Sequence, residues 1–201
     1  MNEVKYVEDF YNKFPPIYNE PLDPEINEGR VKTFKEDHES LIRLIETHHC
    51  RNIFEIGTSR GYTTKLMADH PIVQKIVSID PWESKRRGDQ VAGNPKVTAV
   101  KDSSFRFDIT NFIKESCHSI DMVFIDGDHD LHSVLNDTKI ALLMRPRIIV
   151  WHDWIGPPDL PFCPEWTGVR QAAQFYANKE FGYGFKIIPI PLIMAYTQLR
   201  E

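Results

Sequence analysis

Short runs of aliphatic and aromatic residues recur along the chain at 52–56, 75–79, 96–100, 120–125 and 147–151. Each is apolar at most positions and too short for a helix, which is the pattern of a strand covered on both faces. The intervening stretches 63–69, 104–115, 131–143 and 168–179 place apolar residues three and four apart, and a charged amphipathic segment from about 30 to 47 precedes the first run. Alternation of this kind predicts an α/β fold, a doubly wound parallel sheet with helices on both faces. Two final runs, 185–190 and 193–198, are separated only by Pro191 and Leu192, too few residues for a crossover helix. They are expected to pair as an antiparallel hairpin.

At 201 residues, with 41% hydrophobic and 26% charged content, the chain suits one globular domain. We expect that domain over 30–201, preceded at 1–29 by an arm rich in proline and aromatic residues. The arm carries Phe10, Tyr11, Phe14 and Tyr18, and a second proline cluster from Pro157 to Pro164 carries Phe162 with Trp166 nearby. Both offer rigid apolar surface for a substrate or for a partner subunit in a homo-oligomer. A net charge of -5 disfavours nucleic acid, and Lys85, Arg86 and Arg87 read as a solvated loop. No apolar stretch reaches membrane-spanning length and no signal segment leads the chain, so a cytoplasmic protein without a membrane partner is expected. Cys50, Cys117 and Cys163 are dispersed and odd in number, which fits a reducing compartment, and no Cys-x-x-Cys pair anchors zinc.

The candidate chemistry begins at RNIFEIGTSRGYTT, residues 51–64. A buried strand ends near Glu55, and Gly57 and Gly61 permit a tight turn before a helix. The dinucleotide fingerprint needs three glycines and a pyrophosphate on the helix N–H groups, but the pattern here is Glu-x-Gly-x-x-x-Gly, whose carboxylate repels a pyrophosphate. A cationic ligand fits better. The second apolar run ends on Asp80, which can accept both hydroxyls of a ribose. A phosphate-free nucleoside carrying an ammonium and a sulfonium satisfies both acids, and S-adenosylmethionine is such a molecule.

Through FEIGTSRGYTT, VSIDPW, VKDSS and MVFIDGDHD in that order, the chain resembles the class I S-adenosylmethionine-dependent methyltransferases. The resemblance implies a Rossmann-like, mostly parallel seven-stranded sheet ending in an antiparallel β-hairpin. It also implies cofactor contacts: Glu55, Gly57 and Gly61 as the methionine cradle with Thr58 and Ser59 as donors, Asp80 on the ribose, Asp102 with Ser103 at the adenine amine, and Trp82 stacked on the base. Arg60 would pair with the methionine carboxylate or face solvent.

After the fourth run, Asp126-Gly-Asp-His129-Asp130 crowds acids around a histidine. A calcium loop is disfavoured, because Leu131 holds its glycine position and Asp137 its terminal glutamate. The fifth run ends at Trp151-His-Asp-Trp154. Neighbouring strand ends lie about 4.8 Å apart, so Asp126 and Asp153 would sit side by side and repel unless a proton or a cation intervenes. Hard oxygen ligands make magnesium the natural divalent cation. The arrangement looks like the metal-dependent O-methyltransferases, the catechol methyltransferase-like enzymes and those that methylate antibiotic sugars. These carry Asp-Gly-x-His after strand four and an acidic pair after strand five. Here His152 replaces one acid, so the metal set implied is Asp126, Asp153 and His152, with Asp126 otherwise orienting the cofactor. Either His129 or Asp128 serves as base. The expected activity is methyl transfer to a hydroxyl of a small molecule, the alternative being a non-catalytic nucleoside-binding protein of the same fold.

Overall fold

The computed structural model describes residues 5–6, 8–9, 12, 24–81, 88, 90–115, 119–154, 167–178, 185–189 and 194–199, with backbone alone for 24–34. Trp82, Lys85 to Arg87, Cys117, Cys163 and the second proline cluster lie outside them, as does most of the expected arm.

In chain order the elements are α1 (Pro24–Thr47), β1 (Asn52–Ile56), α2 (Tyr62–Asp69), β2 (Lys75–Ile79), β3 (Val97–Val100), α3 (Ile109–Glu115), β4 (Met122–Ile125), α4 (Leu131–Met144), β5 (Ile148–Trp151), α5 (Thr167–Ala177), β6 (Ile188–Pro189) and β7 (Ala195–Gln198). Seven strands form one sheet in the order β3-β2-β1-β4-β5-β7-β6. The first five are parallel, and β7 runs antiparallel to both β5 and β6. The expected Rossmann-like sheet with its antiparallel ending is therefore the observed one. The order reverses between β1 and β4, and ligands in open parallel sheets bind outside the strand C-termini at such a switch point.

Two apolar layers follow from strand alternation. Ile53, Ile76, Met122, Phe124, Ile148 and Val150 face Leu41 and Ile45 of α1 and Leu66 and Met67 of α2. Their neighbours Phe54, Val77, Val123, Ile125, Ile149 and Trp151 face Val134 and Ala141 of α4 and Val169 and Ala172 of α5. Trp151 is buried, and its indole N–H is satisfied by Thr138 Oγ1 at 3.0 Å.

Helix boundaries moved in two places. The helix before β1 begins at Pro24 rather than near 30. The segment 104–115 is helical only from Ile109. Ser103 and Asp108 explain the delay: Phe105 N donates to Ser103 Oγ, Arg106 and Phe107 N donate to the Ser103 carbonyl, and Asn111 N donates to Asp108 Oδ1. These local bonds compete with helix continuation and leave a turn at the end of β3.

Candidate active site

The turn after β1 is built on close backbone contact. Gly57 has φ 100, and a Cβ there would lie 2.0 Å from the Asp126 carbonyl oxygen, so no side chain fits between the ends of β1 and β4. Protein packing alone therefore requires a glycine here. Gly61 sits at the start of α2 in the left-handed conformation. Ser59 N donates to Asp80 Oδ2 at 2.7 Å, tying the β1 turn to the end of β2 and fixing one carboxylate oxygen.

Behind that turn Glu55 is buried on the α1–α2 face, paired in register with Ser78. Thr64 Oγ1 donates to its Oε2 at 2.6 Å, as does Ser78 Oγ, which in turn is bonded to Thr58 Oγ1. Oε1 is buried and has no hydrogen-bond partner among the described residues. Burial pushes the Glu55 carboxyl up to about 8; the two hydroxyls pull it down, and Asp126 and Asp80 push it further up.

A cleft of about 790 Å³ opens across the C-terminal ends of β1, β2, β3 and β4. Gly57, Ser59, Asp80, Asp102, Ser103, Asp126, Asp128 and His129 line it, so eight of the residues singled out in the sequence meet around one volume. That size is ordinary for a cofactor site. Glu55, Thr58 and Gly61 support the turn without lining the cleft. Asp102 Oδ1 accepts the Ser103 N–H at 2.8 Å and Arg106 Nε at 3.3 Å. Arg60 lies 6.0 Å over the Tyr62 ring, a cation–π geometry.

At the other end of the cleft the register pairs Ile125 with Trp151, so Asp126 and His152 are the first residues beyond two neighbouring strands. It is His152, rather than Asp153, that stands beside Asp126. The chain then turns through Asp153 at φ 55, a conformation uncommon for a residue with a side chain. His152 Nδ1 lies 3.0 Å from both Asp126 Oδ1 and Asp153 Oδ2, and Nε2 lies 3.8 Å from Asp37 Oδ2 on α1. His129 Nε2 meets Asp153 Oδ2 at 2.6 Å. The donor atoms of Asp126, His152 and Asp153 all lie within 4.8 Å of one another.

Charge explains this clustering. Burial disfavours a charged His152, yet Asp126 and the other carboxylates outweigh it and raise its pKa well above the ordinary value. The hydrogen bond to Asp153 raises that of His129 against the opposing effect of burial. Burial would push Asp153 upward, but the bonds from His129 and His152 hold it far below the usual carboxylate range. The repulsion expected between Asp126 and Asp153 is thus relieved by the imidazole between them.

Asp128 is committed to the start of α4, where its carboxylate accepts weakly from Asp130 N and Ser133 Oγ, each at 3.4 Å. Asp130 caps the helix through His132 N and Ser133 N. The His129 turn is also fixed from α5: a Cβ on Gly168 would lie 2.2 Å from the His129 carbonyl oxygen. Sequence reasoning missed Asp37, Asp137 and Gly168. The available signal for the two acids was a charged residue on an otherwise apolar helix face, Asp37 one turn before Leu41 and Asp137 between Val134 and Ile140.

Comparison with known proteins agrees with this geometry. A family model described as a methyltransferase domain matches residues 54–154, half of the 201-residue chain. An uncharacterized mimivirus protein, R132, of Acanthamoeba polyphaga mimivirus is 27% identical over 146 residues, 67% of this chain and 65% of that protein. A protein-L-isoaspartate O-methyltransferase of Idiomarina loihiensis is 36% identical over 53 residues, 24% of each chain. The chain thus spans less than two thirds of the length of either curated relative. Among solved structures, the O-methyltransferase TomG of Streptomyces achromogenes, in complex with SAM, superposes with a TM-score of 0.59 at 17% identity over 100% of this chain and 91% of that one. The N-methyltransferase NodS of Bradyrhizobium japonicum does so at 0.57 and 14%, over 85% and 98%. These likenesses show a shared fold that carries transfer to oxygen in one case and to nitrogen in another. With its family match running from the middle of β1 to the end of the acidic cluster, the chain belongs to the methyltransferase-domain family.

Proposed function

We propose that the protein transfers the methyl group of S-adenosylmethionine to a hydroxyl of a small molecule. The carrying observation is the single cleft that has acids suited to a nucleoside at one end and the His129–Asp153 pair at the other. The residues fit the cofactor. Asp80 and Ser103 line the cleft and would take the ribose and the base, and Glu55, buried behind the β1 turn, would offer its unpartnered Oε1 as a negative charge facing a cationic ligand. When bound, the cofactor supplies an electrophilic methyl on its sulfonium.

The chain's own task is to place the acceptor in line and to receive its proton. His129 lines the cleft, and Asp153 behind it orients the imidazole as the acid of a hydrolytic triad does. Asp128, exposed and tied to the α4 cap, is the weaker choice of base. Positioned proton transfer of this kind contributes typically about 10²- to 10⁴-fold.

A divalent cation belongs to the same proposal. Two carboxylates and one imidazole suit a borderline metal, with magnesium less favoured than for an all-oxygen set. Asp126, Asp153 and His152 would hold it, and it would lower the pKa of a hydroxyl touching it. His152 would then bind through a neutral imidazole nitrogen, against the carboxylates that raise its pKa. The fold also carries nitrogen acceptors, so the choice of oxygen rests on the base and the acidic cluster.

The test is calorimetry with S-adenosylhomocysteine, followed by turnover on hydroxylated acceptors with and without chelator. Binding should occur and weaken at least tenfold in Asp80→Ala. Equal binding by that variant sinks the nucleoside assignment, and unchanged turnover under chelation removes the metal. Binding without turnover across alcohol and phenol panels would favour a non-catalytic role. We place the enzyme in the cytoplasm, acting alone or as a homo-oligomer, without nucleic-acid or membrane partners. No described helix is long and apolar enough to cross a membrane.

A further inference from the structure

Asp137 is a buried acid that the proposed chemistry does not use. It interrupts the apolar face of α4, is 2% exposed, and lines the cleft. Its carboxyl is bonded by the side chains of Ser104 and Asn136, and Asn136 Nδ2 also donates to Ser104 Oγ at 3.2 Å. Its Oδ2 lies 3.4 Å from where a Gly127 Cβ would be, so glycine at 127 leaves the carboxyl open toward the end of β4. The other oxygen, Oδ1, is buried and has no hydrogen-bond partner among the described residues. A buried polar atom left unpaired is destabilising, and a bound donor would remove that cost.

The position of Asp137 identifies the donor. With Asp80 at β2 on the ribose and His129 at the transfer end, the space left for the base lies between Ser103 to Phe105 after β3 and Gly127 after β4. Asp137 lines the same cleft. Asp102, the residue matched to the adenine amine by resemblance, already serves Ser103 N and Arg106.

We propose that Asp137 reads the amino edge of the nucleobase, accepting a hydrogen bond from the exocyclic amine on its unpaired oxygen. The inference rests on the S-adenosylmethionine reading and adds its purine specificity. Burial raises this carboxyl to about 7, and Asp128 and Asp130 raise it further against the pull of Ser104. In its ionised form the carboxyl only accepts, and the exocyclic amine of an aminopurine supplies the matching donor. A hypoxanthine ring, carrying a carbonyl there, would face the carboxylate with an acceptor.

The experiment is calorimetric titration of the full chain with S-adenosylhomocysteine and its deaminated analogue S-inosylhomocysteine. Wild type should prefer the adenosine form by about tenfold or more, and Asp137→Ala should bring the ratio near one. Asp137→Asn, close in shape, guards against misfolding and should keep a reduced preference. A purely structural Asp137 would weaken both ligands alike and leave the ratio unchanged, which overturns the inference. So would a ratio that collapses in Asp102→Ala but not in Asp137→Ala, or a wild type that does not discriminate. If wild type binds neither ligand, the S-adenosylmethionine reading itself falls, and the inference with it.

Discussion

Glu55, buried, and Asp153, half-buried, are acids near the C-terminal edge of the same sheet, and their surroundings drive them in opposite directions. Glu55 is contacted by two hydroxyls, whose dipoles soften the cost of burial without cancelling it, so the carboxyl holds its proton up to about 8. Asp153 receives two imidazole nitrogens, whose hydrogen bonds, helped by charge, outweigh burial and keep it ionised. The first is an acid with no cation beside it, and the second already has two imidazoles hydrogen-bonded to it. The donor half of the cleft is therefore built to change charge state when a ligand arrives. In the acceptor half, charge is balanced before anything binds.

The largest expected effect tests the compensated half. Asp153→Asn keeps shape but removes the negative charge that orients His129 and balances His152. Turnover should fall by about 10²- to 10⁴-fold, while affinity for S-adenosylhomocysteine, measured by calorimetry, stays within a few fold. A matching loss of cofactor affinity would show that the two halves are not separable.

These two acids also mark how far the sequence could be read. The strands were legible because burial on both faces demands unbroken apolar runs, and β1 and β2 fall on the expected residues. The cluster at Asp126, His152 and Asp153 was legible because Asp126 and His152 follow directly on neighbouring parallel strands and Asp153 comes next in the chain. What escaped came from long separation or from local bonding. Asp37 reaches His152 from a helix 115 positions earlier in the chain, a pairing no local pattern encodes. Ser103 and Asp108 capped turns that apolar spacing alone had assigned to helix. Gly57 was legible as a tight-turn glycine, but its close neighbour, the Asp126 backbone at the end of β4, was not.

The next effect concerns pH. A cationic ligand at the β1 turn is favoured by a negative charge on the Glu55 behind it, so affinity for S-adenosylhomocysteine should rise roughly tenfold or more from pH 6 to pH 8 and level off above about 8. The free protein should show the opposite trend. Because the folded pKa lies above the ordinary 4.5, folding holds the proton more tightly, and this contribution is complete below 4.5 and is lost as pH rises through about 8. Glu55→Gln should flatten both profiles, read by calorimetry and by thermal melting from pH 5 to 8.5. A variant that keeps the wild-type slopes would assign them to another group.

The smallest effect sharpens the same contrast. Thr64→Val removes one of the two hydroxyls on Glu55 and retains the β-branched shape within α2. Because that hydrogen bond lowers the Glu55 pKa, its loss moves the pKa upward, and the midpoint of the affinity profile should shift to higher pH. At pH 7 this appears as a few-fold weaker binding, and at pH well above the new midpoint the variant should recover most of its affinity. Asp153, which depends on imidazoles rather than hydroxyls, should be untouched, so turnover at saturating cofactor should match wild type. A fall in saturated turnover would mean that the Glu55 hydroxyl network reaches across β1 to the acceptor half.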